Sequence, residues 1–279
     1  MKTRIIIDST ADLVPELKSR LTVVPLTVRF DDAEYIDGVT IDHQRFYKML
    51  AESNTLPTTS QATPEAFDRV FRTLEPGEGA VVLTLASTLS GTCQSAMIAA
   101  SEYENIYVVD TGSVTIGAGI LAELALRLAE EGKPAADIAA QLEQEKRRIR
   151  IVAMVDTLEY LQKGGRVSKA LAFAGGLLNI KPVLSVANGE ITILGKARGS
   201  KQGNSLVVTE IQKAGGVDFD MPIMLGYTGL SDALLQKYIA DSAALWESNP
   251  KATRTTIIGS VIGTHAGPGA IAVAFFAKK

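Results

Sequence analysis

Four short runs rich in β-branched and aliphatic residues, "RIIID" (4–8), "TVVPLTVRF" (22–30), "AVVLTLAS" (80–87) and "NIYVVDT" (105–111), punctuate the first half of the chain. Between and after them lie segments of helical period: 41–53, 63–74, 91–103, 117–132 and 134–149. Thr63 before Pro64 is a helix start, and Gly132 is a helix stop. Strands joined through helices run parallel, and a parallel sheet must bury both its faces. The spacing therefore predicts an amino-terminal α/β domain over 1–155, with a mostly parallel sheet covered by helices on both faces.

The pattern changes near residue 150. "KPVLSVANGEITILGKA" (181–197) places Asn188-Gly189 between two alternating runs, a strong hairpin signal. Further strands are predicted at 222–228, 254–263 and 270–277, with helices at about 201–214 and 231–245. This reads as a second α/β domain over 156–279, with a mixed or antiparallel sheet. A ligand site is expected between the two domains, since open α/β sheets bind ligands beyond the carboxyl ends of their strands.

A chain of 279 residues is long enough for two such cores. Its net charge of −3 argues against a nucleic-acid partner, and the basic run "EKRRIRI" (145–151) reads as a solvated helix face. Cys93 is the sole cysteine, so no intramolecular disulfide and no cysteine-rich metal site can form. Neither a signal-peptide core nor an unbroken membrane span is evident. A cytoplasmic protein with no stable membrane insertion, no metal and no cofactor is expected.

Three motif templates fail. "GAGILA" (117–122) fits a dinucleotide fingerprint, but it starts several residues after its strand ends, so its glycines read as packing residues inside a helix. There is no P-loop and no G-x-S-x-G elbow. Polar small residues instead crowd three places: "LPTTSQATP" (56–64), "ASTLSGTCQSA" (86–96) and the Gly-rich turn around His265. Free amides at a helix start suit an anion. Thr59, Ser60, Ser90, Gly91, Thr92 and His265 thus form a candidate anion site. Each also has a plain structural reading: Ser90 and Thr92 as helix caps, Thr59 and Ser60 in a turn, His265 bonded to backbone. His43 reads as a surface residue and Cys93 as a buried one. In "TLEYLQKGGRVSKALAFAGGLLNIKP" (157–182), a nearly uncharged run offers Leu171, Phe173, Leu177, Leu178 and Ile180 either as the wall of an apolar ligand site or as a buried connector.

The segments "DSTADL" (8–13), "LPTTSQ" (56–61), "STLSGTCQSA" (87–96), "LEYLQKGGRVSKA" (158–170), "LLNIKPVL" (177–184) and "GTHAGPGA" (263–270) resemble, in order, those of the DegV family. That family comprises fatty-acid-binding subunits of bacterial fatty acid kinase. The resemblance implies a long-chain fatty acid in an interdomain tunnel, its carboxylate held by Thr59, Ser90 and His265. It further implies a separate ATP-dependent kinase subunit that phosphorylates the carboxylate to acyl phosphate, with Arg198 contacting that partner. The chain would then be a lipid-binding, substrate-presenting protein of phospholipid metabolism and not itself an enzyme. It departs from the family at Cys93, commonly tyrosine, at Gly199, commonly threonine, and at Ala272, usually glycine. Two alternatives stand beside this reading: a carrier of another apolar acid, or an acyl hydrolase with Ser90 as nucleophile and His265 as base. For the latter, Asp110 and Asp8 are candidates only by position.

Overall fold

The computed structural model describes residues 2–167, 179–247, 249 and 253–279. From the amino end the chain runs β1 (Thr3–Asp8), α1 (Pro15–Lys18), β2 (Thr22–Val24), β3 (Thr27–Phe30), β4 (Ala33–Ile36), α2 (His43–Glu52), β5 (Thr58–Ser60) and α3 (Pro64–Phe71). There follow β6 (Gly79–Thr84), α4 (Thr92–Ala100), β7 (Ile106–Asp110), α5 (Thr115–Glu130), α6 (Ala135–Glu145) and β8 (Ile149–Met154). The remainder comprises α7 (Glu159–Lys163), β9 (Ile180–Ala187), β10 (Glu190–Arg198), α8 (Gly199–Lys213), β11 (Met224–Tyr227), α9 (Ala233–Asp241), α10 (Ala243–Trp246), β12 (Thr255–Ile257), α11 (Ser260–Ala266) and β13 (Ile271–Phe276).

The first sheet is parallel throughout, in the order β2-β1-β6-β7. Successive residues of β1 serve opposite faces, as the period of a strand requires. Ile5 and Ile7 pack with Ile120 and Leu121 of α5, while Ile6 packs with Phe46 of α2 and Phe67 of α3. The second sheet has the order β10-β9-β8-β13-β11-β12 and is antiparallel except for β11 and β12. Its inner face meets α5, and its outer face is covered by α8, α9 and α10 through Val207, Leu235 and Trp246. The two-domain α/β architecture expected from the sequence is present.

Helix α5 lies between the two sheets, which explains why it is apolar almost all round. Its glycines serve that packing. A Cβ on Gly117 would run into Ser113 and Ile151, and one on Gly119 into the backbone carbonyl of Asp12.

Four sequence expectations need correction. "TVVPLTVRF" is two strands in two sheets. Pro25 supplies no N–H, and the chain turns there, with Ser9 N–H donating to Val24 O and Leu26 N–H to Ser9 Oγ. Thr27–Phe30 is instead the centre of a small antiparallel sheet, β4-β3-β5, which the sequence reading missed. "EKRRIRI" is not one helix face: the helix ends at Glu145, Ile149 begins β8, and Arg148 pairs with Glu145 and Asp218. Because β8 pairs with β9 and β13, the second sheet draws on residues assigned to the first domain by a division at 155. Finally, strand 254–263 stops at Ile257. Ser260–Ala266 is a helix, so His265 sits in a helical turn and not in a loop.

Candidate functional site

The carboxyl ends of β1, β6 and β7 point toward the second sheet, and a cavity of about 410 Å³ lies there. Its walls come from both halves of the chain. Leu85 and Val114 follow β6 and β7, Ile151 and Ala153 belong to β8, Leu184 and Val186 to β9, and Ala270 and Ala272 flank or form β13. The polar lining is confined to Thr59, Ser60, Gln61, Ser90, Gly91, Thr115, Arg166 and His265. An apolar cavity with a few convergent polar groups is the usual form of a small-molecule site.

Each polar group is placed by a local feature. Thr59 lies on β5, opposite Val28 of β3. Its Oγ1 lies 3.0 Å from Nε2 of His265. Gly267 ends α11 with φ +70, its N–H donating to Gly263 O at 2.9 Å, and the Tyr160 ring occupies the space a side chain there would need. Ser90 precedes α4. Its hydroxyl is 2.9 Å from that of Thr92 and accepts the Thr92 N–H at 3.3 Å. Thr92 is fully buried and supports Ser90 from behind without lining the cavity. Ser60 and Gln61 are exposed at the rim, where Gln61 Nε2 donates to Ser95 Oγ at 2.9 Å. Gly91 leaves room for the Gln61 carboxamide, which a Cβ would strike.

Arg166 was not among the sequence-predicted site residues. Its Nη1 donates to Gly164 O at 2.6 Å and its Nε to Leu89 O at 3.4 Å. Among the described residues no carboxylate pairs with it. A half-buried guanidinium on a mostly apolar cavity, bonded among the described residues only to neutral carbonyls, is suited to an anion. The same charge acts on His265. Burial first, and Arg166 second, push the imidazole pKa down to about 4. His265 is therefore neutral at physiological pH. Its Nδ1 is buried against Gly164 and makes no hydrogen bond within the described residues.

The remaining predicted residues lie elsewhere. Arg198 is exposed at the end of β10, where its backbone N–H donates to Gln202 Oε1 at 2.6 Å, and it does not line the cavity. Ile180 is half-buried at the start of β9, outside the cavity lining. Leu171, Phe173, Leu177 and Leu178 lie outside the described residues. Cys93 is buried away from the cavity lining with its thiol pKa raised by burial, whereas Ala272 is on the wall. His43 is half-buried, and its Nε2 lies beside Gly259 rather than on an open surface.

No hydrolase triad is assembled from the candidate residues. His265 Nε2 engages Thr59, and the Ser90 hydroxyl engages Thr92. Asp110 accepts from the Ser87 and Gly112 amides, and Asp8 from Thr10 and Leu85. Neither carboxylate orients the imidazole.

A family model described as "Uncharacterised protein, DegV family" matches residues 2–278. The chain belongs to the DegV family. A DegV domain-containing protein of Caldanaerobacter subterraneus is 36% identical over 285 residues, covering 100% of this chain and 99% of the relative. Among solved structures, a DegV-family protein from Thermus thermophilus described as fatty-acid binding is similar at a TM-score of 0.88 and 33% identity, covering 100% of both chains. DegV of Bacillus subtilis, described as a fatty acid binding protein, is similar at a TM-score of 0.83 and 30% identity, again over 100% of both chains. The similarity to DegV-family structures thus extends over the whole length of this chain.

Proposed function

We propose that this protein binds a long-chain fatty acid, its acyl chain in the apolar cavity and its carboxylate among Arg166, His265, Thr59 and Ser90. The observation that carries the reading is a half-buried cation with no carboxylate partner among the described residues, next to a neutral imidazole and a few hydroxyls on a mostly apolar wall. Burying about 15 methylenes at about 0.8 kcal/mol each gives a gross drive near 12 kcal/mol. Ordering and desolvation reduce it. The guanidinium supplies the charge, while the hydroxyls and the imidazole supply directed hydrogen bonds to the two carboxylate oxygens. That relatives of this fold are described as fatty acid binding supports the same assignment.

The finer role is presentation to a kinase. The sequence carries no Gly-rich nucleotide loop, so phosphoryl transfer from ATP to the bound carboxylate falls to a separate subunit. The exposed guanidinium of Arg198 is the proposed contact for it. Extraction of the purified protein followed by mass spectrometry tests the binding reading. A near-stoichiometric fatty acid is expected, and an empty extract with no native-mass shift on adding fatty acids refutes it. Arg166→Ala should weaken retention at least tenfold, in the range of a lost charge-assisted hydrogen bond. Addition of the cognate kinase subunit and ATP should yield acyl phosphate from wild type and much less from Arg198→Ala at equal occupancy. Equal rates from the two proteins refute the contact.

A further inference from the structure

Asp12 is a fully buried carboxylate one layer behind the cavity, and it touches no cavity space itself. Its two oxygens reach in different directions. Oδ2 accepts the hydroxyl of Thr115 at 2.6 Å, and Oδ1 accepts the backbone N–H of Gly259 at 3.1 Å. Thr115 is the first residue of α5 and Gly259 precedes the first residue of α11, so one side chain ties the amino ends of two helices. Thr115 itself lines the cavity, and α11 carries Val261, Ile262 and His265 of its wall.

Three further observations mark this as a built junction. Thr115 has φ +46, a left-handed backbone that a β-branched residue seldom adopts. It is held there reciprocally, since Asp12 N–H donates to Thr115 O at 3.3 Å while Thr115 Oγ1 donates back to the carboxylate. Such outliers persist only where their surroundings impose them. Gly259 gives the carboxylate access, as a Cβ there would sit 3.1 Å from Asp12 Oδ1 and 3.4 Å from His43 Nε2. Lastly, α11 has seven residues and no side-chain cap of its own, too short to hold its place without tertiary anchors. The Asp12 carboxylate caps it from the other half of the chain, at the end where negative charge is favoured.

We propose that Asp12 is a positioning residue, which fixes α11 against α5 and thereby sets His265 at the head of the ligand cavity. The anchor at the far end of the same helix is the 3.0 Å contact between His265 and Thr59. Slack at one end of so short a helix is felt at the other. The groups facing the Asp12 carboxylate are Lys18 from α1, His43 and Tyr47 from α2, Thr115 from α5 and the Gly259 amide. Burial raises its pKa above the ordinary carboxylate value, and the Lys18 and His43 charges and both hydrogen bonds pull it back. This role rests on the fatty-acid reading only for its effect on affinity, not for its effect on the imidazole.

The test uses Asp12→Asn in the full chain. An Asn has one acceptor oxygen, so it keeps one of the two helix ends and presents an amide N–H to the other. There are two histidines in the chain, and a His43→Gln control assigns their imidazole nitrogen signals. Expected in Asp12→Asn are a shifted or exchange-broadened His265 Nε2 signal, about tenfold weaker binding of palmitic acid, and hexadecanol binding unchanged within about twofold. An unmoved His265 signal, or equal weakening of acid and alcohol, overturns the proposal and leaves Asp12 a fold residue. Wild type that takes up neither molecule refutes the fatty-acid reading, while the imidazole spectrum still decides the role of Asp12. Should Asp12→Asn not fold, Thr115→Val removes a single hydroxyl at constant shape. Its His265 signal should move in the same direction by less, and a wild-type signal there also overturns the proposal.

Discussion

Burial and the charge of Arg166 push the His265 pKa down to about 4, so across the physiological range the ring offers one N–H and one lone pair and no charge. The proton carried by the unfolded chain near pH 6.5 is refused by the folded one, and that refusal has a sign. Between about pH 6.5 and 4 the unfolded state binds more protons at this residue, so stability falls as the pH falls, by about 2 kcal/mol between pH 7 and 4.5. Asp8 acts oppositely. Burial pushes its pKa up to about 6 against the hydrogen bonds of Thr10 and Leu85. The folded state therefore takes up the extra proton between about pH 6 and 4, and stability rises as the pH falls. The two effects offset each other in wild type. Substituting His265→Asn removes one of them, so ligand-stripped variant and wild type compared by urea unfolding should diverge. Their stability difference should move in the variant's favour by about 2 kcal/mol from pH 7 to 4.5. A difference that does not change with pH would mean that the folded ring titrates like a solvated histidine.

Helix α11 shows how an element can be set by its surroundings more than by its residues. "SVIGTHA" holds two β-branched aliphatics, a threonine and a glycine, poor material for a helix. It forms because Asp12 caps it and because Gly263 lets it lie directly on α2. A Cβ at 263 would meet the Tyr47 hydroxyl and the Phe46 ring, and Tyr47 also holds the Ile258 carbonyl at 2.9 Å. Gly263→Ala, which raises intrinsic helix propensity, is therefore expected to destabilise by about 1–3 kcal/mol through overpacking. Denaturant unfolding checks the sign, and a stabilised variant would show α11 to be loosely seated. The same reasoning explains what could be read in the sequence and what could not. Strands β1 and β6 announce themselves as continuous apolar runs because both of their faces are largely buried, and β7, at the sheet edge, as a shorter, half-buried one. The hairpin announces itself because Asn188 and Gly189 both adopt positive φ, 50 and 78. By contrast β5 is three polar residues, TTS, and β4 is mostly exposed, so no apolar alternation betrays the small sheet that carries Thr59. That Thr59, Ser90 and His265 lie near one another was legible through family motifs. That Arg166 joins them on the cavity wall was not, since its side chain is held by the Gly164 carbonyl, and the Asp12 contacts were not, since its partners lie more than a hundred residues away in sequence.

At the scale of the molecule, the ligand cavity and the packing between domains are the same feature. Helix α5 belongs to the cores of both sheets, and the cavity is walled by residues from before and after β8. Polar ties cross the same boundary at separate places. Thr256 Oγ1 donates to Leu13 O at 3.1 Å, the Thr88 hydroxyl donates to Gly189 O at 2.5 Å, and Glu123 of α5 joins Arg254 at 2.7 Å. Neither sheet can lose α5 without exposing a face of its own core, so the two domains should unfold together. Ligand occupancy should then stabilise the whole chain and not one half of it. At a hundredfold excess over Kd the gain is about 2.7 kcal/mol. For a chain of 279 residues unfolding as one unit, a gain of that order raises Tm by about 5 °C. Calorimetry of ligand-stripped protein with and without added fatty acid is expected to give one transition in both cases, displaced as a whole. Two resolved transitions, of which only one moves, would show that the cavity belongs to a single domain and that the α5 sandwich does not couple them.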